Sequence, residues 1–259
     1  MRIKIFILLC LTAIMQFTGV TPLKASHYYY KQLSLKDGLT SAVRCILTDK
    51  QGFVWIGTKA GVSRYDGHEL KKYVHSPNNP HSIPNNLIHQ IAEDEMSNIW
   101  ILTDKGIARY QRQSDDFFLP TDEKGNPIIA YSTCLTKDGV LFGSKDKVYF
   151  YSYRDSSLRL LQKLNKGSNF NISLLSLWNE HTVLCCSRWQ GLALLDLNTG
   201  KHRLPPFDCG KEIMNMLIDS QNRIWIAPYN EGIKCFTHNG ELVKAYTTHN
   251  SDLSNNVVL

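Results

Sequence analysis

The sequence predicts an all-β fold, a β-propeller of four-stranded antiparallel blades, with five blades, partial units at both ends and an open, incomplete ring. Three observations predict it. A Trp-centred apolar run recurs as VWIGT at 54–58, IWILT at 99–103 and IWIAP at 224–228. Each is followed by a polar stretch, a Gly and a second apolar run that ends in an aromatic, as in GVSRY, GIARY and GIKCF. No unit carries ten or more residues of helical periodicity, which argues against a helical repeat.

Placing Trp55 on Trp100 sets a step of 45, and further steps of 41, 43 and 41 reach Leu141, Leu184 and Trp225. Four strands in about 43 residues is the period of a propeller blade. The first strands read AVRCILTD, LIHQIAED, AYSTCLTKD, LLSLWNE and IMNMLIDS, and a short polar turn leads each into its second strand. The third strands read GVSRYD, GIARYQ, KVYFYS, GLALLD and GIKCFT, and a more polar fourth strand such as HELKKYVHS or GELVKAYTT closes the unit. Asp66-Gly67, Asn198-Thr199-Gly200 and Asn239-Gly240 are expected at the hairpins, where Asp-Gly and Asn-Gly supply positive φ angles. The blades are placed at 38–82, 83–127, 128–170, 171–211 and 212–254, with the start of another at 255–259. Trp55, Trp100 and Trp225 are expected in the core. Units three and four, where Leu141 and Leu184 stand for the Trp and Lys147 for the Gly, are placed by spacing alone.

Residues 1–25 read as a secretory signal peptide. Arg2 and Lys4 precede an uncharged apolar run from Ile5 to Val20, with small residues near Ala25. The rival reading is an uncleaved anchor, but the run is shorter than the roughly 20 residues a spanning helix needs. Cys10 lies inside the run, so a lipid-modified start is not expected. Without Arg2, Lys4 and Lys24, 26 basic residues face 23 acidic ones, too weak an excess to point to nucleic acid. Six cysteines then remain, five of them in apolar strand-like runs and none at metal-ligand spacing. They are expected as buried thiols, with Cys185 or Cys186 against Cys235 as the one pairing to test.

DKQGFVWIGTKAGVSRYDG and NNLIHQIAED resemble the two-component regulator propeller repeat. YYKQLSLKDGLTSAVRCILTD resembles the opening of the exported sensor half of hybrid two-component regulators. The resemblance covers about residues 28–259. It implies a periplasmic location, tethering to the inner membrane in the full-length relative, and oligosaccharides from polysaccharide breakdown as ligands. It also implies partners in the same polypeptide: a second propeller, an immunoglobulin-like domain, a membrane helix and a histidine kinase, often with a receiver and a DNA-binding domain. Ligand binding would shift the geometry of a homodimer and pass that shift to the kinase.

HYYYKQLSL at 27–35 occupies the place of a fourth strand, and LSNNVVL at 253–259 matches IPNNLIH at 83–89. A closed seven-bladed ring needs roughly 300 residues at this period. The expectation is therefore the front part of a longer protein, with closure supplied by a blade outside this sequence.

Catalytic signatures are sparse, so the segment reads as a non-enzyme without a cofactor. It has no phosphate-cradling Gly loop, HExxH or G-x-S-x-G. Asp49-Lys50-Gln51-Gly52 and Asp219-Ser220-Gln221-Asn222 faintly resemble calcium loops but lack the remaining oxygen ligands, and a hairpin turn is the competing reading. His75, His81 and His89 fall around a Pro/Asn-rich loop, where a solvated connection outweighs a metal site. Asn171-Ile172-Ser173 is a glycosylation sequon that bacterial export would normally leave unused.

In a propeller, the loops between second and third strands meet the interblade connections at one mouth of the channel. Those loops carry Lys59, Asp104 and Lys105, Lys145 and Asp146, Arg188-Trp189-Gln190, and Tyr229-Asn230-Glu231. Arg188 and Trp189 suit a sugar face and its hydroxyl, carboxylate or sulfate groups, and Tyr229 and Asn230 occupy the equivalent place in the next unit. The competing reading packs Trp189 between blades. The sequence thus points to a ligand-sensing propeller segment with oligosaccharide contacts at Arg188, Trp189, Tyr229 and Asn230. A secreted protein-interaction scaffold and a propeller lyase or hydrolase remain as alternatives.

Overall fold

A computed structural model describes residues 32–34, 36, 38, 39, 41–164, 170–210 and 212–258. The expected signal peptide, and residues 27–31 and 35 of the expected fourth-strand segment, lie outside the described residues. The unit that begins at residue 35 consists of five four-stranded antiparallel sheets, each pairing its strands in chain order.

The first sheet holds β1 (Val43–Thr48), β2 (Val54–Thr58), β3 (Gly61–Tyr65) and β4 (Leu70–Tyr73). The second holds β5 (Ile88–Glu93), β6 (Ile99–Thr103), β7 (Gly106–Gln111) and β8 (Asp116–Phe118). The third is β9 (Ser132–Thr136), β10 (Gly139–Ser144), β11 (Lys147–Ser152) and β12 (Leu158–Lys163). The fourth is β13 (Ile172–Asn179), β14 (Thr182–Ser187), β15 (Gly191–Asp196) and β16 (His202–Arg203). The fifth is β17 (Ile213–Ile218), β18 (Ile224–Pro228), β19 (Ile233–Phe236) and β20 (Leu242–Tyr246). Each of β1, β5, β9 and β13 touches the first strand of the following sheet, and β2, β10 and β14 also pack on it. That is the side-by-side stacking of propeller blades, so the units inferred at Leu141 and Leu184 are real.

The hydrophobic core is divided accordingly into four layers, one at each blade junction. Trp55, Val62 and Tyr73 meet Ile88, Ala108, Tyr110 and Phe117 in the first, and Trp100 and Leu102 meet Val140, Phe142 and Tyr151 in the second. Leu141 and Val148 meet Phe170, Ile172 and Cys185 in the third, while Leu184 and Leu194 meet Ile213, Ile224 and Phe236 in the fourth. Because second strands are covered on both faces, β6 is buried at all five positions, which explains its unbroken apolar run.

A repeated Asp-to-Trp clamp sets the turn between first and second strands. One carboxylate oxygen of Asp49, Asp94 and Asp219 accepts the indole N–H six residues on, from Trp55, Trp100 and Trp225, at 3.0, 2.7 and 2.8 Å. The other oxygen accepts turn amides: Gln51 and Phe53, Asn98, and Gln221 and Arg223. The third residue after each Asp has positive φ, at 88° for Gly52, 61° for Ser97 and 57° for Asn222. These carboxylates are occupied by the turn itself, so the calcium-loop reading gives way to the hairpin.

The second layer of order crosses between blades. The Trp55 and Tyr110 rings meet edge to face with centroids 4.8 Å apart at 65°, and Trp100 and Tyr151 repeat both values. Arg64 donates to the Tyr110 hydroxyl and lies over Phe53, Trp55 and Tyr110. Arg109 donates to the Tyr151 hydroxyl at 2.8 Å and lies over Trp100, Phe118 and Tyr151. Arg112 reaches back from blade two to Asp49 (3.1 Å) and Gln51 (2.8 Å) of blade one, and it also donates to the Ser97 carbonyl of its own blade (3.2 Å). Asp115 accepts from Tyr73 at 2.7 Å, Tyr110 at 2.5 Å and Lys71. Partial burial opposes the Asp115 charge, but Lys71 and the two phenols outweigh it and hold the carboxyl down at about 2.

Three expectations need correction. Gly67, Gly200 and Gly240 have positive φ, yet Asp66 and Asn239 do not. Tyr65 pairs with Leu70, leaving a four-residue loop in which the Asp66 carboxylate accepts the His68 and Glu69 amides. Capping by the side chain replaces the second positive φ. Trp225 is half-buried, whereas Trp55 and Trp100 are fully buried, because burial of this ring depends on the following blade. No disulfide joins the described cysteines, and the tested pairing is not made: Cys185 faces the third core layer and Cys186 the fourth.

Close approach also explains a Gly within the second strands. A Cβ on Gly57 would sit 2.5 Å from Cys45 Sγ and 2.8 Å from Ile88 Cγ2, and one on Gly143 would sit 2.6 Å from Ile172 Cγ2. Ile88 and Ile172 open the first strand of the next blade, so the missing side chain lets the blades meet.

Two outcomes follow. Asp94→Ala strands a buried indole N–H and should cost about 2 kcal/mol in urea unfolding; Asp219→Ala, beside the half-buried Trp225, should lower the midpoint less. Asp49 and Asp115 are held below the usual carboxylate range, Asp49 because the Trp55, Phe53 and Arg112 hydrogen bonds outweigh its burial. Their contribution is complete above about pH 4 and lost as pH falls toward 2. Thermal melts should decline across that window, and Asp115→Asn should flatten the decline.

Candidate functional site

The antiparallel pairing puts the loops between second and third strands at the same end as the chain segments joining blades. Backbone hydrogen bonds tie the two together. Gly61 donates to Asn86 O and Asp104 to Leu87 O, so neighbouring residues hold the loops of blades one and two. The arrangement recurs where Ile213 donates to Arg188 O at 3.0 Å and Tyr229 to Glu212 O at 2.8 Å. Arg188-Trp189 of blade four and Tyr229-Asn230 of blade five are therefore fastened to two consecutive residues of one segment.

The register slips by one residue near the start of four first strands, between Val43 and Cys45, Ile88 and Gln90, Ile172 and Leu174, and Ile213 and Asn215. Such a bulge re-aims side chains. The bulged residues include His89, whose Nε2 lies 3.2 Å from Asp104 Oδ1, and Met214, whose Sδ accepts from Arg188 Nη2 at 3.6 Å. Neither was singled out as a loop partner in the sequence, although each directly follows the first apolar residue of its strand.

Trp189 is 63% exposed and Tyr229 51% exposed, so the interblade packing read as the alternative for Trp189 is not what forms. The Arg188 guanidinium lies 5.2 Å from the Trp189 ring centroid. Asn230 turns the loop with φ of 59°, and Glu231 accepts from Lys234 at 2.5 Å. Next to Trp189 in the chain, a groove of about 430 Å³ runs past Gln190, Leu192, Leu204, Pro206 and Cys209. The arrangement offers open aromatic faces, a guanidinium and amide groups, a set suited to stacking and to hydrogen bonding with oxygen-rich ligands.

The other loop residues are spread around the rim. Lys59, Asp104, Lys105 and Lys145 are exposed, and Asp146 lies 3.5 Å from Lys163. His75 Nδ1 lies 2.8 Å from Ile83 O and His81 Nδ1 3.7 Å from Asp116, so the three histidines have separate partners. Among the described residues, no group of three or more His, Cys, Asp and Glu side chains could hold a metal ion. At the opposite end, a recess of about 460 Å³ passes Gln51, Asn98, Arg109 and Arg112. Its arginines are already committed to Tyr151 and Asp49.

Fold and loop geometry together define a β-propeller segment that presents a polar and aromatic rim. Residues 37–60 match the family described as two component regulator propeller, so the first blade opens on that repeat. Over 59 residues the chain is 39% identical to histidine kinase P4 of Formosa agariphila, covering 22% of this chain and 4% of that protein. Among solved structures it resembles the extracellular domain of the B. thetaiotaomicron hybrid two component system BT3049. There the TM-score is 0.66 at 21% identity, over 81% of this chain and 30% of the other. The extracellular domain of the B. thetaiotaomicron one component system BT4673 gives 0.69 at 18% identity, over 88% and 34%. PorZ of Porphyromonas gingivalis gives 0.60 at 15% identity, over 83% and 35%. The chain thus spans about a third of the length of these structures, and the likeness to them is one of fold.

Burial pushes the Cys45 and Cys134 thiols up to about 11 and Cys186 to about 12. Because the thiolate is the reactive form, a disulfide reagent at neutral pH should label these three far more slowly than in denaturant. Prompt labelling in the native protein would contradict their placement.

Proposed function

We propose that this chain is the ligand-sensing propeller segment of an exported two-component regulator. Its ligand is an oligosaccharide held at the rim by Arg188, Trp189, Tyr229 and Asn230. The carrying observation is the open Trp189 ring under the Arg188 guanidinium, beside an exposed Tyr229 on the adjoining loop. A large aromatic left in solvent covers the apolar face of a pyranose, and the guanidinium and the Asn230 amide serve its hydroxyl or acidic groups. The regulator propeller match and the likeness to extracellular domains of hybrid two-component systems support an exported sensor. The kinase reaction belongs to the part of such a regulator outside this sequence. Ligand binding here acts by changing the relation of two copies across a dimer, with the segment anchored at the inner membrane through the rest of its polypeptide.

Calorimetry with a panel of oligosaccharides tests the reading. Heat from a subset of sugars, without product formation, is expected. Trp189→Ala should weaken the best ligand by more than about tenfold, or about 1.4 kcal/mol, while leaving the melting temperature unchanged. Release of product would favour a lyase or hydrolase, and absence of heat with every sugar would favour a protein-interaction scaffold.

A further inference from the structure

At the same mouth, blades two and three bring together three side chains that the proposed ligand site does not use. The register slip between Ile88 and Gln90 makes His89 the extra residue of β5, and a bulge of this kind re-aims its side chain. The imidazole meets the loop between β6 and β7, where Nε2 lies 3.2 Å from Asp104 Oδ1. A carboxylate only accepts, so Nε2 donates the proton and Nδ1 of the neutral ring is left as an acceptor. The Tyr131 ring meets the imidazole edge to face, with centroids 5.1 Å apart at 65°.

Backbone bonds fix the elements that carry these groups. The Asp104 amide donates to Leu87 O at 3.2 Å, and the Tyr131 amide donates to Gly143 O at 2.9 Å, which ties the entry of blade three to its second strand. The neighbouring Gln90 is turned elsewhere: its Oε1 accepts the Thr133 amide at 3.0 Å across the junction of the two blades.

Exposure then separates their roles. The His89 side chain is 15% exposed, the Asp104 side chain 51% and Tyr131 36%. A nearly covered imidazole therefore holds one oxygen of a carboxylate whose other oxygen has no partner among the described residues. Beside it stands an open phenol ring. Carboxylate oxygens accept hydroxyl hydrogens, and an aromatic ring covers the apolar face of a sugar. The charge on Asp104 disfavours an acidic group at this point, the reverse of the preference at Arg188.

We infer that Asp104, His89 and Tyr131 form a second sugar subsite, which takes neutral neighbouring hydroxyls of the same oligosaccharide that rests on Trp189. The inference depends on the ligand reading given above. The loops of blades two and four stand two sheet-to-sheet steps apart, about 20 Å at roughly 10 Å a step. A ligand that touches both is a chain of several units, beyond the reach of a disaccharide.

The test is calorimetry on the full chain with the di- to hexasaccharides of amylose, cellulose, xylan, mannan and galacturonan. Affinity within a bound series should rise with length until both subsites are filled. Asp104→Ala should weaken the longest binder about tenfold, and Tyr131→Ala severalfold. Both should leave the disaccharide of that series and the melting temperature unchanged, whereas Trp189→Ala should weaken short and long chains alike. The His89 ring-proton signals, assigned by their loss in His89→Gln, should shift with the long chains only. Long chains that respond to Trp189→Ala but not to Asp104→Ala or Tyr131→Ala, with the His89 signals unmoved, would overturn the second subsite and leave the ligand reading standing. Absence of heat with every sugar would remove both.

Discussion

Three of the five blades lean on how a flat, two-faced indole is fixed in orientation at the turn between first and second strands. An Asp six residues earlier holds the indole N–H and the turn amides at once. Turn geometry and ring position are thereby set by one side chain. Once the ring is held, its faces and edge are available to carbon and to Arg, and blades stack by presenting a Tyr to it. Polar satisfaction and apolar packing are met by the same few atoms. A buried indole without such a partner would carry the desolvation penalty of its N–H.

Departures from the pattern are compensated at the junctions. Blade four has Leu184 where the Trp would stand, and its junction with blade five is filled instead by Trp178, Phe207 and Phe236. Phe207 stacks on Trp178 at 6.3 Å and on Phe236 at 4.6 Å. Trp178 comes from the first strand of its blade and Phe207 from the connection between blades. The aromatic side chains at this junction thus come from sequence positions other than the repeated Trp.

This accounts for what the sequence made legible. The spacing of Trp55, Trp100 and Trp225 gave the blade period, and the strands at Leu141 and Leu184 follow it although their side chains do not. The positions of Arg64 and Arg109 in GVSRY and GIARY were visible, but their role was not, because the Tyr each one serves lies in the next blade. Burial of Trp225 was misjudged for the same reason: the ring's own strand does not determine what covers it. Turn chemistry at Asp66 was misread because a carboxylate cap and a positive φ are alternative ways to close a hairpin. At the rim, the loops bearing Arg188, Trp189, Tyr229 and Asn230 were identifiable by length and composition. Exposure of Trp189 was not, since an indole between apolar strands suits a junction equally well by pattern alone.

Glu212 and Ile213 sit side by side yet fasten loops from two different blades. A rigid peptide unit between them cannot follow one loop without moving the other. A force on either loop would therefore pass through that unit to the neighbouring blade.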